Sequence, residues 1–249
     1  MTKAAPSIFP DRHVLATEAG RFIVRSLQTA IADHERATIV LSGGRTPRTV
    51  YEQLPALARE SNLEWKRVYV FWGDERSVSR DHPESNFLMA EESLLRNIDI
   101  PGKNVHRIMS EHPPADAAMQ YAEEIGKFFG LKKGEAPSFD VLLLGLGQDG
   151  HIASIFPGSA AEMEDKEMVV AVHGDNLQVE RITLTLPVLN RAASICMLVS
   201  GEEKAKALKA ALDGDGEPVL PVHRLRPLHG TIHWFVDRDA ARLLKERKD

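Results

Sequence analysis

Short apolar runs alternate with helical patterns along most of this chain, and that alternation restricts the possible folds more than any other feature. Runs rich in valine, leucine and isoleucine predict strands at residues 37–41, 67–72, 139–144, 168–172, 182–186, 194–199 and 231–236. Helical spacing of apolar side chains predicts helices at residues 13–32, 47–58, 83–97, 115–129 and 202–212. Because the strands are mostly continuous runs of valine, leucine and isoleucine, they indicate a mostly parallel sheet covered on both faces. We expect a three-layer, Rossmann-like α/β/α fold.

One domain accounts for the whole chain. Its 249 residues suit a single α/β domain. They contain no internal repeat and no long linker, and the glycine-rich segment 213–218 is predicted to be a turn. We therefore expect one domain over residues 1–249.

Composition and charge favour a cytoplasmic protein that binds a small molecule. The single cysteine, Cys196, lies in an apolar run and has no second cysteine with which to form an intrachain disulfide. The first eleven residues lack the apolar stretch of a signal peptide, and no apolar run has the length of a membrane span. The net charge is −5 without a basic stripe, which argues against a nucleic-acid partner. Attraction of an anionic ligand therefore requires a local group of cations.

A glycine pair follows the first predicted strand. In parallel α/β folds ligands bind beyond the carboxyl ends of the strands, and this position holds Ser42, Gly43, Gly44 and Arg45. The glycines let the backbone approach an anion, and the start of the next helix adds unpaired N–H groups. We interpret the segment as an anion-binding loop. The alternative is an ordinary strand-to-helix turn capped by Thr46.

Asp74 and Arg76 follow the second predicted strand. Charged groups at this edge of a buried sheet are costly unless they are solvated or used. Two interpretations stay open. In one, Arg76 binds a phosphate or an oxyanion while Asp74 orients it or holds a sugar hydroxyl; in the other, the two residues form an ion pair in a solvated loop.

The strand at 139–144 leads into a glycine-rich turn that carries His151. The glycines at 145, 147 and 150 match a dinucleotide fingerprint, but a Phe-Pro-Gly sequence at 156–158 interrupts the helix that the fingerprint requires. Histidine accepts a proton from water readily near neutral pH, so His151 is the predicted general base. Asp149 can orient its ring or hold a sugar hydroxyl, and Gly150 opens the backbone beside it. The alternative is a structural histidine.

Arg191 and Lys204 are two further candidates for substrate binding. Arg191 follows a strand and a helix start, and Lys204 lies in the first turn of the last predicted helix, where a cation opposes the helix dipole. A surface charge is the alternative for each residue. The chain has no Gly-x-Ser-x-Gly elbow and no set of residues at metal-ligand spacing, so we predict no acyl-serine chemistry, no metal and no cofactor.

Several sequence blocks together resemble those of 6-phosphogluconolactonases. They occur in the order typical of that family and comprise Leu-Ser-Gly-Gly-Arg-Thr-Pro at 41–47, Gly-Asp-Glu-Arg at 73–76 with Ser-Asn at 85–86, the stretch 144–158 around Asp-Gly-His, and Arg-Ile-Thr-Leu-Thr-Leu-Pro at 181–187. Leu-Pro at 220–221 and His-Trp at 233–234 also fit. The combination is far more specific than any single block.

The resemblance implies a fold shared with glucosamine-6-phosphate deaminases and ribose-5-phosphate isomerases. It implies metal-free hydrolysis of 6-phosphoglucono-1,5-lactone in the oxidative pentose phosphate pathway. It also implies that His151 is the base and that the Gly43–Gly44 loop, Arg76 and Arg191 contact the substrate. Arg45 stands where such proteins often have serine, so its role stays open.

Two functions other than that of a lactonase are open to a chain with these residues. The deaminase branch of the same superfamily shares the Asp-Gly-His turn. In its members the segment resembles Asp-Gly-His-Ile-Ala-Phe-Asn-Glu-Pro, with a catalytic glutamate just before the proline. Here that position is Phe156, and the Asp-Glu-Tyr typical of the branch is replaced by a sequence ending in Arg76. Both departures favour the lactonase. A non-catalytic sugar-phosphate sensor is the second alternative, and the intact His151 argues against it.

Overall fold

The computed structural model describes residues 5–174, 178–213 and 219–245. Within these ranges the strands are β1 (Ser7–Phe9), β2 (Ala37–Leu41), β3 (Val68–Trp72), β4 (Asp74–Arg76), β5 (Val141–Leu144), β6 (Val169–Val172), β7 (Arg181–Leu184), β8 (Ser194–Val199) and β9 (Thr231–Asp237). The helices are α1 (Arg12–His34), α2 (Arg45–Glu60), α3 (Asn86–Ser93), α4 (Pro114–Phe129), α5 (Leu186–Leu189), α6 (Ala205–Asp213) and α7 (Arg238–Ala241). Most of the turn predicted at 213–218 lies outside the described residues.

The central sheet is parallel, as the apolar strands predict. Its strand order is β1-β9-β8-β5-β2-β3, and every neighbouring pair runs in the same direction. β2 and β5 are buried at every position, which explains why their sequences lack polar alternation. Because all six strands point the same way, the segments that follow β2, β3, β5 and β8 meet along one edge of the sheet.

Helices cover both faces of this sheet. Successive side chains of β3 point to opposite faces. Phe71 packs on Phe128 and Phe129 of α4, with ring centroids 5.2 and 6.2 Å apart. Trp72 instead packs on Phe87 of α3 at 5.5 Å. Since α3 contacts α2 and α2 packs along α1, these three helices share one face and α4 covers the other. The predicted three-layer fold is confirmed.

A second, antiparallel sheet corrects the prediction of a single sheet. It has the order β4-β7-β6, so the strands predicted at 168–172 and 182–186 leave the parallel sheet, and Asp74–Arg76 forms a strand rather than a loop. Only residues 173–180 separate β6 from β7, too few for the crossover that parallel pairing needs. The two sheets meet at Gly73, whose N–H donates to the Leu41 carbonyl (2.9 Å) and whose carbonyl accepts from the Leu184 N–H (2.8 Å).

Several element boundaries also differ from the prediction. The helix predicted at 83–97 is shorter, because the Ser85 hydroxyl caps α3 and the helix ends at Ser93. The helix predicted at 202–212 opens with a 3₁₀ turn over Glu202–Lys204 before α6 begins. β1 is an unpredicted strand of three residues. It pairs with β9 and thereby brings the start of α1 to the carboxyl edge of the sheet.

Candidate active site

One pocket of about 400 Å³ lies at the carboxyl edge of the parallel sheet. Eight of the predicted site residues line it, namely Ser42, Gly43, Gly44, Arg45, Asp74, Arg76, His151 and Lys204. Asp149 and Gly150 precede His151 in the same turn. These residues come from four separate segments that follow β2, β3, β5 and β8, so the fold assembles them from distant parts of the chain.

The loop after β2 presents the start of α2 to the pocket. The buried Tyr51 hydroxyl fixes this loop by accepting from the Ser42 N–H and donating to the Ser42 carbonyl, both at 2.8 Å. A Cβ on Gly43 would lie 2.0 Å from Asn86 Oδ1, so only glycine fits there. Gly44 is the N-cap, with a φ of 106° and no side-chain cap hydrogen bond. The first N–H groups of α2 are therefore not capped by a side chain, in contrast to the alternative of a turn capped by Thr46.

Asp74 and Glu75 point to opposite sides of β4 and do different work. Asp74 lines the pocket, and its carboxylate accepts from the Ser154 hydroxyl at 2.6 Å. Glu75 is 1% exposed and accepts from the backbone N–H groups of Asn86 and Phe87, both at 2.7 Å. Burial raises the pKa of Glu75 despite these bonds. Glu75 therefore ties β4 to the start of α3, and Asp74 is the acid available to a ligand.

Arg76 and Arg181 form a pair of adjacent cations in the antiparallel sheet. They are directly opposed in the register of β4 and β7, and both line the pocket. Arg76 donates to the Glu84 carbonyl at 2.6 Å, while Nε of Arg181 is buried with no hydrogen-bond partner among the described residues. Burial, followed by the charge of Arg76, lowers the pKa of Arg181. Two like charges side by side, neither within 4 Å of a carboxylate in the described part of the chain, favour an anion between them.

The turn after β5 holds His151 against Asp149. The two side chains meet at 2.6 Å between Nδ1 and Oδ1. A proton on Nδ1 satisfies this contact, which leaves Nε2 as the basic nitrogen. A Cβ on Gly147 would lie 2.1 Å from His151 Nδ1, and Gly150 has a φ of 84°. Gly147 and Gly150, two of the three glycines that mimic a dinucleotide fingerprint, are thus required by the geometry of the histidine turn.

The segment after His151 returns across the pocket without forming a helix. Ala153 has a φ of 48°, a left-handed conformation that is uncommon for alanine, and it lines the pocket. Ser154 then reaches Asp74, and the ring of Phe156 packs against His151 with centroids 4.7 Å apart. The long helix that a dinucleotide site requires after its glycines is replaced by these turns.

Lys204 and Arg45 both line the pocket but differ in burial and in ion pairing. Arg45 has a largely exposed side chain and forms an ion pair with Glu203, so it links the loop after β2 to the 3₁₀ turn after β8. Lys204 is half-buried, and burial lowers its pKa although the charge of Glu203 opposes the shift. It forms no ion pair within 4 Å among the described residues. Lys204 is therefore the cation of this turn that is available to an anionic ligand.

The chain matches a known protein family over most of its length. The family model described as glucosamine-6-phosphate isomerases/6-phosphogluconolactonase matches residues 10–234. This chain belongs to that family. A 6-phosphogluconolactonase from Nostoc sp. strain PCC 7120 is 37% identical over 96% of this chain and 97% of its own length. One from Mycobacterium tuberculosis is 39% identical over 94% of this chain and 96% of its own length.

Solved structures give the same result. The structure of 6-phosphogluconolactonase from Trypanosoma cruzi has a TM-score of 0.85 and 30% sequence identity, and the match covers 97% of each chain. The resemblance to 6-phosphogluconolactonases that the sequence blocks predict is confirmed by these matches.

Asp149 and Gly150 adjoin the pocket only through the His151 turn, whereas Arg191 is predicted for the site but lies away from the pocket. It follows α5 and directly precedes β8, so it lies at the amino edge of the parallel sheet, whereas the pocket is at the carboxyl edge. Its backbone carbonyl accepts from the Ser138 hydroxyl at 2.8 Å, and its side chain is exposed. The prediction placed Arg191 after a strand of the parallel sheet, but that strand, β7, belongs to the antiparallel sheet and runs opposite to β4.

The pocket also contains residues that were not predicted. Arg181 and Asn86 could have been predicted as site residues, because both lie in sequence blocks that resemble those of the family, at 181–187 and at 85–86. Arg12 and Ser200 had no such signal, because they lie 188 residues apart and meet only in the fold. We call Arg12, Arg76, Arg181 and Lys204 the cationic wall of the pocket.

Among the described residues, no helix combines the length and hydropathy that crossing a bilayer requires. No group of three or more histidine, cysteine, aspartate or glutamate side chains among them is arranged to hold a metal ion.

Proposed function

We propose that this protein hydrolyses 6-phospho-D-glucono-1,5-lactone to 6-phospho-D-gluconate, the second step of the oxidative pentose phosphate pathway. The observation that carries the proposal is the paired His151 and Asp149 in a pocket whose cationic wall forms no ion pair within 4 Å in the described part of the chain. Family membership and the relatives named 6-phosphogluconolactonase support the same reaction. A volume of about 400 Å³ is of the size that small-molecule sites have.

In the proposed mechanism His151 acts as general base. Its Nε2 takes a proton from a water molecule, and the resulting hydroxide attacks the C1 carbonyl carbon of the lactone. The carbonyl oxygen becomes an oxyanion, which N–H donors or an arginine of the pocket stabilise. The tetrahedral intermediate then expels the ring oxygen, which takes the proton back from the imidazolium. Asp149 holds the ring in position and stabilises its charged form.

The phosphate binds, in this proposal, to the cations and to the start of α2. The uncapped N–H groups behind Gly44 form an anion site. Arg76, Arg181 and Lys204 lie around the same pocket without carboxylate partners within 4 Å in the described chain. Arg45 is engaged with Glu203, so we assign it to the link between the two loops rather than to the phosphate.

Phe156 distinguishes this proposal from the deaminase branch of the family. Isomerisation of an amino sugar needs carboxylates that move protons. The aromatic ring at this position packs on the proposed base and has no proton to exchange. We therefore propose that the protein releases no ammonia from glucosamine 6-phosphate.

A lactonase assay on freshly prepared 6-phosphogluconolactone, corrected for spontaneous opening of the ring, tests the function. We expect hydrolysis well above the background rate and no ammonia release from glucosamine 6-phosphate. A rate equal to the background would reject the lactonase, and deamination at a rate comparable to lactone hydrolysis would reassign the protein within the family.

We propose a cytoplasmic location. The only cysteine is buried, and burial raises the pKa of its thiol, so nothing in its chemistry calls for an oxidising compartment. Fractionation of the source cells, with a known cytosolic enzyme as marker, tests this location.

A further inference from the structure

We propose that Arg12 is an additional ligand of the substrate phosphate and that Ser200 and Asp237 hold it in place. The inference rests on the lactonase function proposed above. Arg12 lies outside every sequence block that marks the family, and it reaches the pocket only through the packing of the first strand and helix.

The fold fixes the start of α1 at the carboxyl edge. β1 pairs with β9 so that Phe9 lies opposite Asp237. Asp11 then caps α1 by accepting from the N–H groups of His13 (2.8 Å) and Val14 (3.0 Å). Arg12 is the first helical residue, and these contacts bring its side chain to the lining of the pocket.

Two hydrogen bonds orient the guanidinium. Nε of Arg12 donates to the Ser200 hydroxyl oxygen at 2.9 Å, and that hydroxyl donates to the Asp237 carboxylate. Asp237 is 3% exposed and also accepts from the N–H groups of Gly201 (3.0 Å) and Ala240 (2.8 Å). Because the Ser200 O–H donates its hydrogen bond to Asp237, the lone pairs of the serine oxygen are free to accept a hydrogen bond from Arg12. The position of Nε is therefore set by a buried and fully bonded group.

The stability of α1 does not explain an arginine at this position. A cation at the start of a helix opposes the helix dipole, and the first turn of α1 contains no acidic residue beyond its cap. Arg12 is half-buried, and no carboxylate of the described chain lies within 4 Å of it. Among the residues that the structure describes, its terminal nitrogens therefore have no carboxylate in ion-pair contact.

Phosphate is the anion that matches this arrangement. The proposed lactone carries its only full negative charge on the phosphate, so an unpaired cation in the pocket interacts most strongly with that group. The parallel N–H groups of a guanidinium suit phosphate oxygens. Lys204 lies in the same lining, so Arg12 supplies a permanent charge beside a lysine whose pKa is lowered by burial.

The test compares Arg12→Gln with Arg25→Gln, which removes the same charge from an exposed position of the same helix. For Arg12→Gln we expect KM for the phosphorylated lactone to rise about 10-fold, the typical effect of losing one partly exposed charge-assisted hydrogen bond. The KM for unphosphorylated gluconolactone should not change. Arg12→Lys should recover part of the loss, and Arg25→Gln should match the wild type with both lactones.

Titration calorimetry separates this proposal from the function on which it rests. Binding of 6-phosphogluconate and of inorganic phosphate to the wild type and both glutamine variants is measured without turnover. If the wild type fails as a lactonase but Arg12→Gln alone weakens the binding of both anions, the Arg12 contact stands and the function falls. Equal affinities of Arg12→Gln and Arg25→Gln, or an equal rise in KM for both lactones, would overturn the phosphate contact.

Discussion

The His151 turn and the cationic wall line the same pocket but are built in opposite ways. His151 and Asp149 are two residues apart and are held by glycines of one continuous segment. The wall draws Arg12 from α1, Arg76 and Arg181 from two antiparallel strands, and Lys204 from a 3₁₀ turn. In the proposed mechanism the chemistry is therefore local in sequence, while recognition of the anion depends on the packing of the whole fold. If this division is correct, substitutions in the turn should change kcat and substitutions in the wall should change KM.

The largest effect should come from the turn. His151→Ala removes the proton acceptor but leaves the wall intact, so kcat should fall by about 10²–10⁴-fold, as is typical of a lost general base, with little change in KM. Steady-state kinetics corrected for spontaneous hydrolysis give both values. A variant with near wild-type kcat would make His151 a structural residue and move attention to Asp74 or Asp149.

Removal of the phosphate should be the largest perturbation of the wall. Charge-assisted hydrogen bonds contribute roughly 1.5–3 kcal/mol each. Losing two or three should lower kcat/KM for unphosphorylated gluconolactone by about 10³-fold relative to the phosphorylated lactone. Arg76→Ala and Arg181→Ala should each lower kcat/KM more for the phosphorylated lactone than for the unphosphorylated lactone. If both lactones suffer alike, these arginines serve the oxyanion, and the division between turn and wall fails at that point.

A smaller effect should distinguish Lys204 from the arginines of the wall. Burial lowers the pKa of Lys204, so as pH rises the lysine loses its charge below the ordinary lysine value of about 10.4. Bound phosphate favours the charged form, hence binding should take up protons at alkaline pH and weaken a few-fold as pH rises. Calorimetry of 6-phosphogluconate binding at several alkaline pH values measures both the proton uptake and the affinity. Lys204→Arg should remove the dependence; an unchanged profile in that variant would assign the titration to another group.

The smallest effect should be that of Arg191. Because Arg191 lies at the amino edge of the sheet, Arg191→Ala should leave kcat/KM for both lactones within about twofold, as surface substitutions usually do. Arg76→Ala, measured in parallel, is the positive control. A selective loss with the phosphorylated lactone would contradict the position that the structure gives to Arg191.

The same contrast explains how much could be predicted from the sequence. The parallel sheet was predictable because β2 and β5 are mostly apolar runs without polar alternation, and the His151 turn because its glycines and its histidine are neighbours. The antiparallel sheet was missed although the short connection at 173–180 excludes a crossover helix. Arg12 could not be found, since its partner Ser200 is 188 residues away. Arg191 was misplaced because β7, the strand before it, belongs to the antiparallel sheet and not to the parallel one.

Gly73 has a consequence for which changes in length the site tolerates. Its backbone hydrogen bonds to Leu41 and Leu184 set the register between the two sheets. Side chains of a strand alternate between faces, so one inserted residue between β3 and β4 would exchange the inner and outer faces of β4. Glu75 would then turn its carboxylate toward the anion pocket, while Asp74 and Arg76 would turn to the face that packs on the start of α3. An insertion of a single amino acid here would thus remove a cation from the anion pocket and leave a carboxylate on that side, without substituting any of the original residues.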